Sequence, residues 1–196
     1  MAKPETLKSM LEKHNVDKDI INTINNGYEN VTNKSTKKQK AEYLFHAVNE
    51  MDKSLDKDTC KEILEECACT IGSSLEKKVR QFAVKANGLP LKEQIKLGKL
   101  SILTGSMGNP ILRKDNTILV NLANVDKNGK YVCPCPQVSG VGTEKPKTHT
   151  YCLCCGGHLK YQYEIALGRK LDVKVQSSPF ESNGKKPCVF ILTVVE

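Results

Sequence analysis

The chain has 196 residues and a mass of 21.8 kDa, with 30 Lys and Arg against 22 Asp and Glu, a net charge of +8, nine cysteines and no Trp. That length suits one domain, or one domain with a helical arm, and can bury most of its apolar surface without cross-links. The basic excess is spread thinly and has no aromatics interleaved with it, which argues against nucleic acid, and no run of about 18 apolar residues is present to span a bilayer.

Residues 5–26 read as two short helices, with Leu7, Met10 and Leu11 and then Ile20, Ile21 and Ile24 at helical spacing, stopped by Asn25-Asn26-Gly27. Ser35 is the expected cap of a helix over about 36–52, with Tyr43, Leu44, Ala47, Val48 and Met51 on one face. Further helices are expected from Lys57 to about Thr70, over about 74–87, and over Leu91–Leu100. Gly105-Ser106-Met107-Gly108-Asn109-Pro110 lacks the Lys-Ser/Thr of a phosphate loop and reads as a helix-to-strand connection. Thr117–Ala123 reads as a strand, Asp126-Lys127-Asn128-Gly129 as a turn, and Tyr131–Cys135 as the second arm of a hairpin. A Gly/Pro/Lys loop covers 136–148. A helix over Leu159–Leu167, a strand over Leu171–Ser177 and a strand over Cys188–Val195 that closes the sheet complete the chain. The fold class is therefore α+β: N-terminal helices followed by an antiparallel sheet with an inserted helix. The predicted organisation is a helical arm over 1–52 and an α+β, ligand-binding-like domain with a cysteine cluster over 53–196.

Seven of the nine cysteines fall into three tight groups: Cys67 and Cys69; Cys133 and Cys135; and Cys152, Cys154 and Cys155. Residues i and i+2 on extended backbone point to one side, and Pro134 and Pro136 favour extended backbone around Cys133 and Cys135. Cys152-x-x-Cys155-Gly156-Gly157 has the spacing of a zinc knuckle. A hairpin end facing that knuckle would gather four thiolates around one cation. The candidate metal ligands are Cys133, Cys135, Cys152, Cys154 and Cys155, with zinc as the expected cofactor and an iron–sulfur cluster as the alternative. Cys60 and Cys188, each alone, read as small apolar core residues. Cys67 and Cys69 diverge on a continuing helix and could chelate together only if the helix ends there; otherwise one completes the site or is a reactive thiol. His14 and His46 read as surface residues. His149 and His158 bracket the cysteine group, His158 being the reserve ligand, and either could serve Cys154 as a base. Met1 to Thr6 opens no apolar leader core, so the expected location is cytoplasmic, where thiols stay reduced.

From Tyr151 onward the order is a cysteine group, then Tyr163-Glu164-Ile165-Ala166-Leu167-Gly168, a strand with Val173, Val175 and Ser177, and Gly184-Lys185-Lys186-Pro187-Cys188-Val189-Phe190. This C-terminal part resembles the 4-vinyl reductase domain family and its relatives, the aminothiazoline-carboxylate hydrolase-like proteins. Gly184, Cys188 and Phe190 match their Gly-x-x-x-Cys-x-Phe turn into a last strand, with Lys185 in place of the usual Asp. The resemblance implies a small-molecule pocket between helices and an antiparallel sheet, with a structural zinc near the pocket in some members.

Three functions follow as expectations. The first is a cytosolic small-molecule-binding or sensor-like protein with a cysteine-ligated structural zinc. The second is a hydrolase of a small cyclic or amide substrate, using metal or cysteine. The third is a thiol-redox or metal-handling protein. Whether the chain is an enzyme is left open. The expected partner is a small-molecule ligand, with nucleic acid and membrane excluded and a homodimer compatible with the chain.

Overall fold

Pro4 sits at the first turn of α1 (Pro4–Lys13), where its missing N–H costs nothing, and Leu7 and Leu11 face inward. The computed structural model describes residues 3–99, 102, 108–142 and 144–195. Asp17 caps α2 (Lys18–Asn25) by accepting from the Asp19 amide. The cap of α3 (Lys37–Ser54) is Thr36, not Ser35, because Thr36 and Gln39 form a reciprocal capping box while the Ser35 hydroxyl accepts from the Thr32 amide. Asp56 caps α4 (Lys57–Glu66), which stops at Cys67, short of the predicted end near Thr70. α5 (Ser73–Ala86) and α6 (Leu91–Lys99) follow. Most of the Gly105–Pro110 connection, and Leu100 at the predicted end of the last of these helices, lie outside the described residues.

The main sheet contains β1 (Asn109–Leu112), β2 (Ile118–Leu122), β5 (Leu171–Ser177) and β6 (Cys188–Val194), all antiparallel, in the order β1-β2-β6-β5. The predicted turn at 126–129 forms, with the Asp126 carboxylate accepting from the Asn128 and Lys130 amides. It joins only two short strands, β3 (Asn124–Val125) and β4 (Tyr131–Val132), in a separate ribbon. The strand ahead of that turn, β2, pairs with β1 and β6 instead. Burial explains the choice: Ile118 and Val120 are buried and register with buried Leu192 and Phe190 of β6, whereas Asn124 and Val125 are exposed. β6 is accordingly an interior strand, not the one that closes the sheet.

The inserted helix begins well before Leu159. A 3-10 turn over Thr150–Cys152 leads directly into α7 (Leu153–Leu167), and Gly168 ends it in the left-handed conformation. The expected knuckle at Cys152–Gly157 is thus the opening of a helix. Its glycines serve packing: a Cβ on Gly157 would collide with the Glu65 carbonyl of α4, and a Cβ on Gly156 would stand 3.4 Å from the Val173 methyls of β5.

One hydrophobic cluster runs from Leu7 to Leu192. Phe45 of α3 meets Tyr151 and Phe180 edge-on, with ring centroids 5.5 and 5.4 Å apart, so the first fifty residues share the core of the rest. The protein is α+β, and among the described residues no helix is long and apolar enough to cross a membrane.

Candidate functional site

Three chain segments bring sulfur to one buried region. The first follows β4, where the chain leaves the ribbon and carries Cys133 and Cys135. The second is the 3-10 turn and first turn of α7, carrying Cys152 and Cys155. The third is the start of β6, where Cys188 sits. Cys188 is hydrogen-bonded to both Cys133 and Cys152, and Cys135 to Cys155. The Tyr151 hydroxyl lies 3.3 Å from the Cys135 sulfur. The Cys133 sulfur also accepts from the Cys135 amide, and the Cys135 sulfur from the Gln137 amide. Amides aimed at sulfur in this way favour the thiolate.

Charge in this group is unevenly shared. The Cys155 hydrogen bond, helped by Tyr151 and the Gln137 amide, overcomes burial and lowers the Cys135 thiol. The same bond, with burial, drives Cys155 well up. Cys133 is raised by its bond to Cys188 and by burial. Cys188 is relieved by Cys133 but raised on balance by Cys152 and burial. The arrangement therefore favours the thiolate on Cys135 over one on Cys133, Cys155 or Cys188. Among the described residues no two cysteines are joined in a disulfide. Among the described residues no three His, Cys, Asp or Glu side chains stand as a group that could hold a metal ion. The sulfurs meet pairwise, and clasping a cation requires them to give up protons and close in.

Of the five predicted ligands, Cys133, Cys135, Cys152 and Cys155 belong to this assembly. Cys154 points elsewhere: its thiol donates to the Cys67 carbonyl at 3.4 Å, because adjacent residues on a helix diverge by about 100°. Cys188, read from sequence as an isolated core residue, is a full member. Cys60 is buried, with its thiol directed to the Met51 carbonyl at 3.7 Å and raised to about 11 by burial. Because α4 ends at Glu66, Cys67 and Cys69 leave the helix. Cys67 is buried and pushed up to about 12, while Cys69 is half-buried and joins His158. His14 and His46 are half-buried, not surface residues. His14 lies 3.5 Å from Glu66, and His46 packs on Tyr28 with ring centroids 4.9 Å apart.

Beside the sulfur group a cleft of about 580 Å³ opens between helices α3 and α4 and strand β5. Leu55, Leu153, Val173 and Val175 give it an apolar lining, and Lys57, Lys61, Lys147 and Lys174 stand among its charged groups. His149 Nδ1 lies 2.8 Å from Glu181 Oε2 at this cleft. Thr148 and Thr150 each donate to Asp52 at 2.6 Å, pinning the segment before α7 to the end of α3. No sequence spacing pointed to Asp52 or Glu181, since each meets its partner only through the fold. No protein-family model matches this chain, and no curated protein and no solved structure matches it.

Proposed function

We propose that this is a small-molecule-binding, sensor-like protein of the reducing cytoplasm whose cleft wall is held by a structural zinc on cysteine thiolates. The observation that carries the reading is a shared segment. Residues 147–153 line the cleft through Lys147, Thr148, His149, Thr150 and Leu153, and the same segment delivers Cys152 to the sulfur group. The donors fit the metal in kind. Cys133, Cys135, Cys152 and Cys155 are soft, free thiols on three elements, two of them supported by backbone amides, with Cys188 alongside. Zinc would supply no redox chemistry; it would stabilise the fold and fix the wall. The apolar lining suits a small, largely apolar ligand with a few polar anchors, His149 and Glu181 among them.

Elemental analysis of protein purified without added metal is expected to find about one zinc per chain. Cys133→Ser and Cys152→Ser should each lower zinc content and Tm together, and Cys60→Ser should leave zinc unchanged. Stripping the metal should also speed hydrogen exchange over residues 147–153. Folded Cys133→Ser and Cys152→Ser variants with undiminished zinc overturn the proposal. The pairing of Cys135 with Cys155 favours a second reading, thiol redox, and predicts that metal-free protein under mild oxidant closes a disulfide between those two.

A further inference from the structure

A second sulfur site lies one turn further along α7, against the helical half. α4 stops at Glu66, and the chain that follows carries Cys69 out of the helix. Gly157 lets α7 approach the α4 backbone at Glu65, which sets the next residue, His158, over that chain. His158 Nδ1 lies 2.6 Å from the Cys69 carbonyl, and the ring also hydrogen-bonds the Cys69 thiol. On its other edge, Nε2 abuts the carboxamide of Gln162. Gln162 is fully buried, and its Oε1 has no partner. Turning that carboxamide over gives Oε1 the Nε2–H to accept. The ring then donates from both nitrogens, as an imidazolium does and a neutral imidazole cannot.

We propose that Cys69 is a nucleophilic thiolate that adds to α,β-unsaturated carbonyl compounds, with His158 as its proton donor and Gln162 as the residue positioning the ring. Conjugate addition asks for little else. The Cys69 sulfur forms a bond to the β-carbon, the C=C π bond breaks, and its pair moves to the α-carbon and carbonyl oxygen. The His158 imidazolium then gives its proton to the α-carbon. Thiolate, imidazolium and alkene become thioether and neutral imidazole, with no oxidant or reductant. Burial opposes the Cys69 thiolate, and the His158 hydrogen bond and charge pull against burial to lower it. Burial likewise opposes the His158 charge, and the bond to Cys69 raises the ring. The neighbouring titratable groups are otherwise engaged. Glu65 pairs with Lys160 and Lys61, Glu66 with Lys13 and His14, and Cys67 stays a buried thiol. Among the described residues His158 is the charged group acting on Cys69. The contact between Cys69 and His158 uses none of the five gathered sulfurs.

The test uses N-ethylmaleimide, itself an α,β-unsaturated carbonyl, on intact reduced protein, with the adduct located by peptide mass spectrometry. Cys69 should be labelled first, with a rate-against-pH midpoint clearly below the ordinary thiol value. His158→Gln should move that midpoint up by a pH unit or more and slow labelling at pH 6.5 about tenfold. Gln162→Leu should shift it in the same direction by less. The wild-type profile needs no variant to fold. First labelling elsewhere, or a Cys69 midpoint at the ordinary thiol value near 9, overturns the proposal, as does an unchanged profile in folded His158→Gln.

Discussion

Asp56 precedes α4 with its carboxylate accepting from the Asp58 and Thr59 amides, both at 2.9 Å, and from the Thr59 hydroxyl at 2.6 Å. The Thr59 side chain, ahead of the amides, holds this carboxyl below its usual 3.8. A depressed carboxyl contributes stability that is present above the unfolded value and lost as pH falls through the folded one. Asn caps a helix without titrating. The Tm of Asp56→Asn should therefore fall less steeply than wild type between about pH 5 and pH 2; parallel curves would refute the assignment. Caps act within four residues, so sequence comes close to them: the expected cap of α3, Ser35, lies one residue from the true one, Thr36, while Asp56 carried no reading of its own. Cys188 was not legible. Its partners Cys133 and Cys152 are remote in sequence, and only the register of β6 with β2 brings it among them. Clustered cysteines advertise themselves by spacing, whereas a single one supplied by a strand end looks like any small core residue.

α7 shows why its first turns were misread. A glycine pair beside clustered cysteines suggests a loop, and glycine does weaken a helix by about 1 kcal/mol relative to alanine. Here the cost is offset by contact, since Gly157 admits the α4 backbone and Gly156 admits Val173. The two positions should respond oppositely. Gly157→Ala forces backbone against backbone and should destabilise by about 1–3 kcal/mol in chemical denaturation, the range for overpacking. Gly156→Ala meets only an ordinary contact with side-chain methyls and should be neutral or gain a few tenths of a kcal/mol from helix propensity. Equal effects at both positions would show that close packing is not what the pair provides. The hairpin was misread for a related reason. Turn chemistry at Asp126–Gly129 correctly located a reversal, but which strands pair was settled by buried faces that local signals do not reveal.

The α+β class was readable because helical spacing dominates before residue 100 and alternation dominates near the end. How tightly the two halves are joined was not, since period says nothing about which faces meet. Tyr43, Leu44, Phe45, Ala47, Val48 and Met51 all lie in the same core as Tyr151, Phe180 and Phe190. Residues 53–196 expressed alone should lack near-ultraviolet circular dichroism and a cooperative melt, since removing α3 uncovers that core; a sharp melt would show an independent unit. The sheet order carries a consequence for synthesis. β2 and β5 touch only through β6, and the residues of β6 leave the ribosome after both. Until residue 188 and its successors emerge, the nascent chain holds a β1–β2 hairpin and a lone β5 with nothing to bridge them, and one of the gathered sulfurs is still missing. Joining β5 to that hairpin must therefore wait for β6, leaving a partly made chain with apolar strand faces for chaperones to shield.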